Sequence, residues 1–141
     1  MRGDILRVSQ LLKNKTKLSS HNYEDLIDNL TERDLVYLDP PYQGTGKNGG
    51  FRYFKDVEFG DFVTSLFQLN NKKIPFILSY DGRTGDKTFG QPLPKELNLI
   101  KIEIDAGRSS IATLHSRNQN TFEALYISEY LEKKISVQEI A

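Results

Sequence analysis

The chain has 141 residues, one domain's worth, and a compact fold of that size buries roughly 68–70% of its surface. Nineteen basic and nineteen acidic side chains cancel to zero net charge, which excludes a global electrostatic signature of nucleic-acid binding and leaves room only for a local basic patch. The absence of cysteine excludes disulfides and thiolate metal sites, and no apolar run approaches a membrane span or a signal-peptide core, so a soluble cytoplasmic protein is the default.

Ile5, Val8 and Leu12, with Leu11 beside them, fall at helical spacing and predict a short helix over residues 4–13. Residues 16–20 read as a short strand. Asn22 suits an N-cap, with Glu24 and Asp25 in the first turn behind it. Tyr23, Leu26, Ile27 and Leu30 then recur at i, i+3, i+4 and i+7 and mark one buried helix face.

Leu35-Val36-Tyr37-Leu38 is a short apolar run and reads as a strand buried on both faces, as in a parallel sheet. Asp39-Pro40-Pro41-Tyr42 ends it, because neither proline can donate a ladder hydrogen bond. An acid, a rigid turn and an aromatic ring therefore stand at the carboxyl end of a strand, the edge where open α/β sheets bind ligands. The cluster suits methyl transfer to an exocyclic amine. The Asp39 carboxylate and the Pro40 carbonyl form an acceptor pair that can hold two N–H groups and favour the nucleophilic, tetrahedral nitrogen. Pro41 stiffens the turn, and Tyr42 can stack on a base. The same four residues also suit a strand followed by a tight turn and an ordinary surface tyrosine.

Gly44, Gly46 and Gly49 match G-x-G-x-x-G within a loop over residues 43–54. No strand leads directly into it and no helix opens behind it, so it is not a dinucleotide fingerprint. It reads either as a mobile loop beside a site, with Lys47 and Arg52 available for phosphates, or as a plain surface loop.

Asp56 suits the cap of a helix whose stripe is Phe59, Phe62, Val63, Leu66 and Phe67. A second apolar strand runs from Ile74 to Tyr80, and Ser79-Tyr80-Asp81-Gly82 reads as its end. Residues 83–94 read as loop. Ile100, Ile102 and Ile104 alternate with Lys101 and Glu103, which predicts a half-exposed strand. A last strand is expected over residues 122–131. No helix-length segment separates these two strands, so they are expected to pair antiparallel at one sheet edge. His21 and His115 are isolated, and no metal is assigned.

In this order the segments resemble the Dam-like N6-adenine DNA methyltransferases. The resemblance spans nearly the whole chain, as the carboxy-terminal part of that family. Asp39-Pro40-Pro41-Tyr42 matches its catalytic motif, and Gly44-Thr45-Gly46, Phe51 and Tyr53 are similar to the loop behind it. Residues 76–82 are similar to the next core strand. Ala106-Gly107-Arg108-Ser109-Ser110 is similar to a late segment near the target base, and Glu123-Ala124-Leu125-Tyr126-Ile127-Ser128 to the terminal strand. Ser20-His21-Asn22-Tyr23 resembles the segment that receives the cofactor's adenine.

The resemblance implies an α/β fold: half of a Rossmann-like methyltransferase sheet, mostly parallel with an antiparallel pair at one edge, in a single domain over residues 1–141. It implies catalytic roles for Asp39, Pro40, Pro41 and Tyr42, and S-adenosyl-L-methionine as cofactor, bound through Asn22, Tyr23 and Asp39. It implies contact with DNA through Lys47, Arg52, Tyr53, Arg108, Ser109 and Ser110. The family's glycine loop and target-recognition insertion have no counterpart here. The expectation is therefore one part of a split or fragmented enzyme, with a complementary chain supplying both. A non-catalytic DNA-binding or regulatory subunit and a methyltransferase acting on RNA are the alternatives.

Overall fold

Nine residues of unbroken strand, Phe76–Thr84, form the axis of the sheet. The computed structural model describes residues 2–41, 58–84, 86–88, 90–108 and 120–138. In chain order the elements are α1 (Arg2–Leu12), α2 (Tyr23–Ile27), β1 (Val36–Leu38), α3 (Phe59–Asn71), β2 (Phe76–Thr84) and β3 (Lys87–Thr88). A 3₁₀ turn (Lys95–Leu97), β4 (Ile100–Arg108), β5 (Asn120–Ile127) and α4 (Glu129–Gln138) follow. The sheet order is β1-β2-β5-β4, with β3 folded back on β2. β1 runs parallel to β2, whereas β5 is antiparallel to both β2 and β4. The α/β fold with an antiparallel pair at one edge is thus the one the chain forms. β1–β2 is the parallel pairing among the described strands.

The core lies between α3 and one face of the sheet. Phe62, Leu66 and Leu69 from α3 meet Phe76, Leu78 and Tyr80 from β2, with Ile27, Ile74 and Leu97 closing the cluster. Full burial of each such side chain contributes about 1.5–3 kcal/mol. The helix ends in a Schellman closure. Ile74 N–H donates to the Leu69 carbonyl (3.0 Å) and Lys73 N–H to that of Asn70 (2.9 Å), with Lys73 left-handed at φ 56°. Asn70 Nδ2 then donates to the Leu97 carbonyl at 2.9 Å, which fixes the 3₁₀ turn against α3.

Several elements depart from their sequence expectation. Residues 16–20 form no strand. β1 is not buried on both faces: Val36 and Leu38 are half-buried over α3, whereas Tyr37 is 62% exposed on the other side. Among the described elements α3 covers one face of β1 and nothing covers the other. β2 does not end at residues 79–82 but continues to Thr84 through a register shift between Ser79 and Gly82. Asp81 sits there at φ 41°, and a Cβ at Gly82 would stand 2.1 Å from the Phe122 carbonyl oxygen. Glycine is what lets β5 approach.

β5 stops at Ile127, and residues 129–131 belong to α4. Ser128 makes the change. It is fully buried, and its Oγ accepts from Phe76 N–H (3.0 Å) and from Leu131 N–H (3.3 Å), the latter as a helix N-cap. Its own N–H donates to the Phe76 carbonyl at 3.1 Å. Further along α4, Tyr130 Oη donates to Glu32 Oε2 (3.4 Å) and Lys134 Nζ to the Glu32 carbonyl. These contacts place α4 at the amino end of β1 and β2.

Ser128→Ala leaves the buried Phe76 N–H without its acceptor, so a loss of about 1–3 kcal/mol is expected in a urea titration. Gly82→Ala is expected to exceed it, because β2 and β5 must part. A Gly82→Ala protein as stable as its parent would contradict this close approach.

Candidate active site at the carboxyl edge of the sheet

Val36, Tyr37 and Leu38 pair with Phe76, Ile77 and Leu78, so Asp39 leaves the sheet beside Ser79 of β2. Asp39 is exposed, while Pro40 and Pro41 are half-buried and hold the chain against the edge. Tyr42 lies outside the described residues, as do Lys47, Arg52, Tyr53, Ser109 and Ser110.

The neighbouring strands do not stop where β1 stops. β2 runs on from Leu78 to Thr84, paired with Thr121–Glu123 of β5, and β4 runs on to Arg108, paired with Asn120. Six further residues of strand extend about 20 Å, so these three strands form a wall that overshoots Asp39. Arg108 stands at its tip, three strand spacings or roughly 14 Å across from β1. The sheet thus puts Asp39 and Arg108 on one edge without making them neighbours.

Asn22 and Tyr23 open α2. Asn22 is at the N-cap position, but its side chain does not cap the helix; Nδ2 donates to Glu24 Oε2 at 3.0 Å. Tyr23 meets Phe62 edge-on, with centroids 6.5 Å apart and planes at 70°, and Phe62 meets Tyr80 at 5.2 Å. This aromatic row joins the start of α2 to the carboxyl half of β2. Burial pushes the Tyr23 hydroxyl above its ordinary pKa, against the Ser65 hydrogen bond that lowers it.

A family model for the D12 class N6 adenine-specific DNA methyltransferases matches residues 2–134. The chain belongs to this family. No curated relative and no solved structure matches it. Among the described residues no helix is long and apolar enough to cross a membrane. No group of three or more His, Cys, Asp or Glu there could hold a metal ion.

The sequence reading missed one feature of this methyltransferase domain, a cleft of about 230 Å³ behind the β2 bulge. Asp81, Gln91, Lys101 and Tyr126 line it, with Tyr80 and Ala124. Asp81 is buried, and Tyr126 is half-buried with its hydroxyl pushed up by that burial, Lys101 opposing and Asp81 adding to the shift. A glycine interrupting an apolar strand was the available signal, since such a residue marks a bulge as readily as an end. Beside the cleft, Glu103 accepts from Arg83 Nε (3.1 Å) and Lys101 Nζ (3.2 Å), which hold its carboxyl below the usual range. The Arg83 guanidinium lies 3.8 Å over the Phe122 ring.

The two raised tyrosines fix the sign of an alkaline transition. The folded chain keeps their protons to a higher pH than the unfolded chain does. Their contribution is therefore complete below pH 10, the ordinary tyrosine value, and is lost as pH rises through the folded values. Stability should fall above pH 10, and Tyr126→Phe should flatten that fall in denaturant titrations run across pH. An unchanged alkaline slope in Tyr126→Phe would show that its burial does not bias ionisation.

Proposed function

We propose that this chain carries the catalytic motif of an S-adenosyl-L-methionine-dependent enzyme that methylates the N6 amine of adenine in DNA, and that it works with a complementary chain. The family supplies the reaction class. The observation that carries the assignment to this chain is Asp39-Pro40-Pro41 closing a parallel strand at the carboxyl edge, with Asp39 exposed there.

The chain's residues fit such a cofactor. Asn22 keeps its carboxamide at the surface, Tyr23 offers a half-exposed ring, and Asp39 presents a solvent-facing carboxylate suited to an ammonium group. The cofactor, when bound, supplies an electrophilic methyl on a sulfonium. Asn22 and Tyr23 would hold its adenine, and Asp39 would take part at its methionine end.

The target adenine would leave the duplex, at a cost of a few kcal/mol. Asp39 and the Pro40 carbonyl accept its two amine hydrogens, favouring a tetrahedral nitrogen whose lone pair is withdrawn from conjugation with the ring and free to attack the methyl group. Tyr42 stacks on the base, and the proton leaves after transfer, so no strong base is required. Lys47, Arg52, Tyr53, Arg108, Ser109 and Ser110 are proposed to contact DNA around it.

The partner is supported by the side of the sheet that none of the described elements covers. Tyr37, Ile77, Ile127 and Ile100 share one face with Leu125, Ile102 and Ile104, as the strand pairings require. Leu35, Tyr37, Ile102 and Ile104 are 59%, 62%, 41% and 47% exposed. A complementary chain that adds to β1 and covers this face would complete the domain, with an interface above about 2,000 Å². Light scattering is expected to find a tight assembly with that chain, and a stable soluble monomer with no tendency to associate would sink the idea.

Asp39→Ala is expected to cut single-turnover methylation of adenine-containing duplex by roughly 10²–10³-fold. Folding should persist, because Asp39 is exposed at a strand end. If the variant melts like its parent and methylates at the parental rate, the chain is a scaffold and the catalytic reading fails. A preference for RNA in the same assay would move the reading to the other substrate.

A further inference from the structure

The zero net charge conceals a division along the chain. Residues 1–20 carry five basic side chains (Arg2, Arg7, Lys13, Lys15 and Lys17) against one acidic, Asp4. The remainder carries fourteen basic against eighteen acidic, so a segment of net charge +4 adjoins a body of net charge −4. Every residue from 3 to 22 is exposed, Leu18 at 90%. Among the described residues the ion pairs engage Lys72, Arg83, Lys101 and Lys133, and none engages Lys13, Lys15 or Lys17.

We propose that Lys13, Lys15 and Lys17 form a phosphate-contacting arm that holds the backbone of duplex DNA without reading its sequence. The proposal rests on the DNA methyltransferase reading above and adds to it a site outside the catalytic edge. Charge complementarity selects the occupant. Phosphates are drawn to the +4 segment more than to the net-acidic remainder, so the segment adds a backbone anchor apart from the local basic residues proposed at the catalytic edge. A cation near the carboxyl end of α1 also favours the helix dipole. That accounts for Lys13, which donates its backbone N–H to the Ser9 carbonyl at 3.1 Å. It does not account for Lys15 and Lys17, which follow the left-handed Asn14 at φ 63° and lie beyond the helix. A membrane surface is the weaker occupant, because the three lysines stand past the helix and not along its polar side.

The test is the salt dependence of binding of the full-length chain to a fluorescein-labelled DNA duplex, measured for the parent and for Lys13→Gln/Lys15→Gln/Lys17→Gln. Each phosphate contact contributes about 0.9 to the slope of log affinity against log salt, so the triple variant should lose about 2.7. The loss should be the same on a duplex of scrambled sequence. A thermal melt matching the parent's shows that the fold is kept. An unchanged slope in a folded variant, a loss confined to one sequence, or a parent that does not bind duplex overturns the arm. So does stronger capture by phosphatidylserine vesicles than by DNA. Methylation by the assembled enzyme, assayed in parallel, keeps the two readings apart. No methylation with the expected slope change removes the enzyme reading and supports the arm. Full methylation with an unchanged slope does the reverse.

Discussion

The backbone of Phe76 is the point at which the sheet is fixed. Its N–H donates to the buried hydroxyl of Ser128, and its carbonyl accepts from the Ser128 N–H. On its other side Val36 is its partner in the parallel register. One residue thereby aligns the start of β1, the end of β5 and the first turn of α4. Asp39 lies three residues beyond Val36, so its position follows from this register. A slip of one residue would turn the pleat over and drive Tyr37 into the core in place of Val36 and Leu38. The fixed end of the sheet is the amino end of its parallel strands, and Asp39 stands at the opposite, carboxyl edge.

The two faces of the sheet are unequal, and the inequality has a functional reading. α3 buries Phe76, Leu78 and Tyr80 so completely that their face needs nothing more. The opposite face keeps large apolar side chains in partial contact with water, and α1 does the same with Ile5, Leu6, Val8, Leu11 and Leu12, all more than half exposed. Scattered apolar surface is ordinary in soluble proteins. A layer that runs across four paired strands is more than scatter, and it is the face on which the proposed interface rests. The proposed complementary chain would cover this layer and also give β1 a second neighbour.

Local pattern carried most of the fold. The helical spacing of Phe59, Phe62 and Leu66 and the alternation of Ile100, Ile102 and Ile104 are properties of the sequence itself. The Asp39-Pro40-Pro41 stop is equally local, because proline ends a ladder by its own covalent structure. What stayed hidden was set by distant contacts. Asp81-Gly82 looks like a stop in isolation, and only the approach of the Phe122 carbonyl shows why a glycine belongs inside the strand. Ser128 looks like one more residue of an apolar strand, and its capping of α4 depends on Phe76, 52 residues away. At the carboxyl edge, the place of Asp39 just past a strand end was legible from the apolar run and the two prolines. The cleft lined by Asp81, Lys101 and Tyr126 was not, because three different strands contribute to it.

The bulge also shapes the carboxyl edge at which the proposed chemistry would take place. Had β2 ended at Ser79, β1 and β2 would stop level with each other beside Asp39. Left-handed Asp81 and the unhindered Gly82 instead let β2 continue in company with β5 and β4, raising a wall of backbone beside the motif. A wall on one side and the short β1 on the other make a step. An extrahelical base entering at that step would find acceptors at its foot and a rigid flank along its length, which is the preorganisation that a positioning mechanism requires. The strain at Asp81, a non-glycine residue held left-handed inside a strand, is of order 1–3 kcal/mol, and the surrounding strand pairing must outweigh it. Strain of that size persists where the surrounding structure over-determines it, and here the pairing of β2 with β5 through the bulge does so.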